Sequence, residues 1–69
     1  MTTIYKVIEI IGSSEKSWED AARSAVETAA KSLKEIRIAE VKELDMRVEE
    51  GKVAEYRAKL RVSFKYLPA

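Results

Sequence analysis

Hydrophobic and polar residues alternate without interruption from Ala54 to Tyr66. Ala54, Tyr56, Ala58, Leu60, Val62, Phe64 and Tyr66 fall on one side, and Glu55, Arg57, Lys59, Arg61, Ser63 and Lys65 on the other. This period of two predicts a β-strand with one buried and one charged face. It is roughly twice the usual strand length of about five or six residues, so it is expected to run past its own core or into an interface.

Residues Ile36 to Glu49 also read as extended, and Glu50-Gly51-Lys52 is a Gly-containing turn that closes a hairpin. Setting Glu49 against Val53 brings Arg47 to Glu55, Asp45 to Arg57 and Glu43 to Lys59. The same register brings Val48, Met46 and Leu44 to Ala54, Tyr56 and Ala58. Sliding by two residues sets Glu49 against Glu55, and sliding by one mixes the faces, so both alternatives lose the charge pairs. Further along, the register turns Val41 and Ala39 away from the core unless one extra residue is inserted. A β-bulge near Lys42 or Glu43 sets Val41 against Leu60, Ala39 against Val62 and Glu40 against Arg61. Ile36 and Ile38 then point to the charged face, opposite Lys65 and Ser63. Two apolar β-branched residues there point to a subunit or ligand contact, against the plain reading of scattered surface isoleucines.

Ile4 to Ile11 is the first strand. Its apolar residues lie in both phases, as in a strand covered on both faces. Gly12-Ser13-Ser14 is expected to break it, and this run ahead of a helix is also a weak anion-cradle pattern. Ser17-Trp18-Glu19-Asp20 has the form of a helix cap, with Ser14 as the alternative cap one turn earlier. Trp18, Ala22, Ala25, Val26, Ala29 and Leu33 recur at steps of three and four and make one apolar helix face. The order strand, helix, strand, strand implies a crossover that leaves the first and second strands parallel, with a gap between them. The third strand fills that gap. The fold class is therefore α+β: a βαββ unit with a three-stranded antiparallel-type sheet, order 1-3-2, on one helix. The other sheet face has no covering layer within the chain.

Composition sharpens this reading. The chain is 69 residues long, without cysteine or histidine, and carries thirteen basic and twelve acidic residues for a net charge of +1. Residues 1–69 form a single domain. A domain of this size buries only about 60% of its unfolded surface and needs help to be stable. Without cysteine or histidine, disulfides, the usual zinc sites and the commonest general base are excluded. Oligomerisation is the remaining support. The balanced charge argues against nucleic acid as a partner. No stretch approaches a membrane span, the N-terminus does not read as an export signal, and the expected location is the cytoplasm. No nucleophile and base pair, metal-ligand spacing or cofactor loop points to an enzyme.

The runs IYKVIEIIGSS, IRIAEVKELDMRVEEGKV and YRAKLRVSFKYLP, with the alanine-rich helix between the first two, resemble the dodecins in order and spacing across essentially the whole chain. The resemblance implies a βαββ subunit in a hollow homododecamer that stores or sequesters a small ligand without turnover. In flavin dodecins a tryptophan stacks on the isoalloxazine ring at subunit interfaces and a glutamine hydrogen-bonds its polar edge. The matching cofactor-binding positions here are Ile38, just before Ala39-Glu40-Val41, and Arg57, just after Tyr56. Isoleucine removes a stacking contribution of about 0.5–1.5 kcal/mol beyond area burial. Arginine donates hydrogen bonds but accepts none. Flavin (riboflavin or FMN) therefore loses both contacts, and Trp18 cannot replace the ring from the helix face.

The chain is similar to the subgroup without the flavin tryptophan, which includes a calcium dodecin. Calcium or another ion is thus a candidate, with carboxylates at Glu40, Glu43, Asp45 and Glu49. Calcium takes six to eight oxygens, one strand does not supply them, and no loop has EF-hand spacing. These acids also have a simpler use as partners of the basic residues on the third strand. Three readings follow in order: a shell binding a ligand or ion, a purely structural assembly with a decayed ligand site, and an enzyme.

Overall fold

The computed structural model describes residues 2–66. Met1 lies outside this range, as do Leu67 and Pro68 at the end of the dodecin-like C-terminal run. Four elements follow one another: β1 (Tyr5–Ser14), α1 (Trp18–Ala29), β2 (Ile36–Glu49) and β3 (Lys52–Lys65). β3 pairs antiparallel with both neighbours, and the sheet order is β1-β3-β2. This is the topology expected from the strand–helix–strand–strand order.

Residues of β3 that face α1 form the core. Ala58, Leu60 and Val62 are buried, as is Ala21 of α1, and Ile10, Ala22, Ala25 and Val26 pack around Ala21, Ala58 and Leu60. Ser17 caps α1 by accepting a hydrogen bond from the Asp20 amide at 3.0 Å. Ser14 Oγ instead donates to Asp20 Oδ2 at 2.7 Å and accepts from the Lys16 amide. The sequence pattern carried the helix to Leu33, but α1 ends at Ala29. There Lys31 and Ser32 donate to carbonyls three residues back and tighten the last turn.

β1 does not break at Gly12. It continues through Ser14, and Gly12 pairs with Ala58 beneath α1. A Cβ at Gly12 would lie 2.3 Å from the Ala21 carbonyl oxygen and 2.7 Å from Ala25 Cβ. The glycine therefore serves close helix–strand approach, and Gly12-Ser13-Ser14 is sheet rather than an anion cradle. β1 is also an edge strand, contrary to the two-sided cover its pattern suggested. Ile8 and Ile10 turn toward α1, while Tyr5, Val7 and Ile11 on the other face are 50–61% exposed.

The hairpin register holds along most of its length. Arg47, Asp45 and Glu43 oppose Glu55, Arg57 and Lys59, and the bulge at Lys42 brings Val41, Glu40 and Ala39 to Leu60, Arg61 and Val62. Both ends differ from the expectation. Glu50 and Gly51 have φ of 51° and 75°, the pattern of a tight hairpin turn that sets Glu49 against Lys52. Ala54 is then the extra residue of a second bulge, and Val48 meets Val53 instead of Ala54. At the far end the register shifts again between Ile36 and Ile38. Arg37 is the extra residue there, so Ile36 opposes Phe64 on the helix side and is half-buried. Glu35, with φ of 62°, delivers the chain into β2 at this point. Only Ile38 stays on the charged face, opposite Ser63 and 65% exposed.

Candidate functional site on the open face of the sheet

The face of the sheet turned away from α1 is a succession of rows that cross all three strands. Val7, Ser63 and Ile38 make one row, followed by Glu9, Arg61 and Glu40, then Ile11, Lys59 and Glu43, then Ser13, Arg57 and Asp45. The period of two along each strand and the bulge at Lys42 together put these side chains in line. Arg57 grips Asp45 with two hydrogen bonds, Nε to Oδ1 at 2.7 Å and Nη2 to Oδ2 at 2.8 Å. Arg47 Nε reaches Glu55 Oε1 at 2.7 Å, and its Nη1 reaches Glu49 Oε2 at 2.5 Å. Lys59 lies 3.6 Å from Glu43, Arg61 3.3 Å from Glu9, and Lys42 3.7 Å from Glu40.

This pairing decides the chemistry of the face. The hydrogen bonds from Arg57 hold the Asp45 carboxyl below its ordinary range, and the one from Arg47 does the same for Glu55. Glu40, Glu43, Asp45 and Glu49 each have a cationic partner within 4 Å. Among the described residues no three acidic groups converge on a point that could hold a metal ion. The described residues of a single copy therefore do not by themselves build a calcium sphere of six to eight oxygens.

Ile38 and Arg57 both stand on the open face, as the register required, but the fold does not bring them together. Ile38 opposes Ser63, and Arg57 lies six residues further along β3, about 20 Å away at strand rise. Ile38 is flanked by Val7 across Ser63, whose hydroxyl donates to the Ile38 carbonyl at 3.5 Å. Arg57 is flanked by Asp45 and Ser13. A compact ligand therefore cannot touch both positions of one copy at once.

Two features escaped the sequence pattern. Trp18 donates its indole N–H to the Asp45 carbonyl at 2.9 Å, and its ring meets Tyr56 edge-on, 5.2 Å between centroids. Residue 45 is thus held through its side chain by β3 and through its backbone by α1. The second feature is an apolar groove of about 540 Å³ between α1 and β2, lined among others by Trp18, Ala22, Val26, Val41 and Leu44. Neither was visible in advance, because a period assigns a face and not the distance between two elements.

The dodecin family model matches residues 4–67. The chain belongs to the dodecin family. Calcium dodecin of Mycobacterium tuberculosis is 52% identical over 67 residues, covering 97% of this chain and 94% of its own. Its crystal structure, described as that of a calcium-chelating antigen with a novel calcium-binding site, superposes with a TM-score of 0.85 at 54% identity. That superposition covers 96% of this chain and 94% of the other. The dodecin of Thermus thermophilus is 37% identical over 65 residues, 94% of each chain. Dodecins bind small ligands and assemble into homododecamers, and this chain is a dodecin-type ligand-binding protein. Among its described residues no helix is long and apolar enough to cross a membrane.

Proposed function

We propose that the chain forms a non-catalytic homododecameric shell that holds a small ligand or ion where subunits meet, with the flavin contacts of the family replaced. The observation that carries this reading is the two-pronged Asp45–Arg57 pair at the position where flavin dodecins are expected to present a glutamine. Its two bonds turn the Nε and Nη2 edge of the guanidinium to Asp45, and guanidinium offers no acceptor to a ligand. Ile38, 65% exposed, supplies apolar surface but no aromatic face.

Calcium is the first ion to test. The similarity to calcium dodecin supports it, and the paired, non-convergent carboxylates of one copy direct the search to oxygens contributed by several subunits. Assembly is supported by the small core. Only Ala21, Ala58, Leu60 and Val62 are buried among the described residues, too little for an isolated domain of this length.

Native mass spectrometry of the protein as purified tests the reading directly. Twelve copies of the 7.8 kDa chain are expected near 94 kDa without flavin, and elemental analysis of the same sample reads any bound calcium. Retained flavin would show that Ile38 and Arg57 still make a working site and would overturn the replacement. If those two positions are what exclude flavin, Ile38→Trp combined with Arg57→Gln restores quenching of riboflavin fluorescence. An assembled double variant that leaves riboflavin bright places the cause elsewhere.

A further inference from the structure

Residue 45 is fixed from both faces of the sheet. On the helix side the Trp18 indole N–H donates to the Asp45 carbonyl at 2.9 Å, and the Trp18 ring is itself seated edge-on against Tyr56. On the open face the Asp45 carboxylate accepts two hydrogen bonds from Arg57, at 2.7 and 2.8 Å. The register sets these two residues opposite each other, with Ser13 of β1 on the other side of Arg57. The pair uses only one edge of the guanidinium. Nη1 has no hydrogen-bond partner among the described residues, and the Arg57 side chain is 43% exposed. The charges that flank Arg57 on this face are compensated as well. Lys59, two residues along β3, pairs with Glu43 of β2, and Glu55, two residues back, pairs with Arg47. At these levels β1 contributes only Ile11 and Ser13.

We propose that Asp45 is a specificity-determining residue of the ligand position. By occupying one edge of Arg57 and cancelling its charge, it leaves a donor edge suited to an uncharged acceptor, such as a carbonyl or amide oxygen, and disfavours phosphate and carboxylate groups. The inference rests on the ligand-holding shell proposed above and narrows the class of ligand. A free guanidinium matches an oxyanion with a planar fork of donors. Here the Nε and Nη2 edge already carries a carboxylate. An anion at the remaining edge meets the repulsion of the carboxylate bound to the same group, and screening over about 8–10 Å does not separate the two. A neutral acceptor receives the same hydrogen bond without that repulsion. Trp18 is the positioning residue: its bond holds the backbone of residue 45 at the level of Arg57, so a displaced carboxylate stays close by.

Pyrophosphate is the anionic probe. The chain has five arginines, and their side-chain Nε–H signals are followed by NMR as pyrophosphate is added, with Arg57→Lys assigning the signal of interest. The wild-type Arg57 signal is expected to stay in place. In Asp45→Asn it is expected to shift saturably, with an affinity at least about tenfold above the wild type, the size of one charge-assisted hydrogen bond gained. Asp45→Glu is expected to restore the wild-type response, and Trp18→Phe to give a smaller gain at Arg57. The Arg47 signal, whose carboxylate partners are untouched, is expected to stay still throughout. A wild-type Arg57 that binds pyrophosphate as tightly as Asp45→Asn overturns the inference. An assembled Asp45→Asn protein with an unresponsive Arg57 also overturns it. If Asp45→Asn fails to assemble, the wild-type titration decides alone: a saturable Arg57 shift overturns the inference and a fixed signal supports it. Native mass spectrometry of the same samples keeps the two readings apart. A monomeric wild type overturns the shell and what rests on it, whereas a failed Arg57 comparison in an assembled protein overturns the role of Asp45 alone.

Discussion

The two halves of β3 obey the same alternation and have opposite fates. Under α1, Ala58, Leu60 and Val62 are buried to 0–1% exposure. Toward the turn, Ala54 and Tyr56 of the same set are only partly buried, and Val48 and Met46 on the neighbouring β2 are 58% and 45% exposed. Nothing in the local pattern separates these stretches. What differs is the layer above them: α1 spans only Trp18 to Ala29 and covers the near half alone. An alternating strand specifies which face wants burial, and another element must supply the cover.

The largest expected effect is in the covered half. Leu60→Ala should cost about 2–5 kcal/mol, the range for deleting a buried leucine side chain, read by urea unfolding at fixed subunit concentration. A loss indistinguishable from that of an exposed leucine would erase the distinction between the halves. Gly12→Ala should follow, at about 1–3 kcal/mol, because its methyl group meets the backbone of Ala21 rather than a movable side chain. Ser17→Ala should cost about 1 kcal/mol through loss of the cap that starts α1 and so positions the cover.

The distal half is sharpened by subtler changes. Val48→Ala should cost well under the Leu60→Ala loss, since Val48 is already 58% exposed within one copy. A loss as large as that of Leu60→Ala would mean that the arm is covered. Acid should act on the same half. Asp45 and Glu55 have folded pKa values depressed by their arginine partners, so their contribution to stability is present above the ordinary carboxylate range. It is lost as pH falls through the lowered values. Hydrogen exchange of the 46–55 amides should accelerate there, and in Asp45→Asn the remaining acid response should fall on Glu55.

Much of this was legible before any coordinates. The faces of β3, the bulge at Lys42 and the Arg47–Glu55, Asp45–Arg57 and Glu43–Lys59 oppositions follow from period and charge, because a one-residue slip in a two-faced strand is penalised at every position. The misreadings fall where period carries no information. Gly12 reads as a breaker, since its lack of a Cβ permits a turn and close packing equally. Ile36 changes face because Glu35 and Arg37 absorb an extra residue where the chain enters β2. Glu50 takes a left-handed conformation that a residue other than glycine or asparagine does not announce.

For the candidate site the division is similar. Sequence alone determined that Ile38 and Arg57 stand on the open face, that Asp45 opposes Arg57, and that so short a chain has only a small core of its own. Tertiary structure alone decided that Ile38 and Arg57 lie far apart in one copy, that the carboxylates are neutralised in pairs, and that α1 leaves a groove beside β2. The reason is geometric. Alternation and charge are properties of neighbours along and across a strand, whereas the reach of a helix over a sheet depends on where it starts, where it stops and how closely one glycine lets it approach.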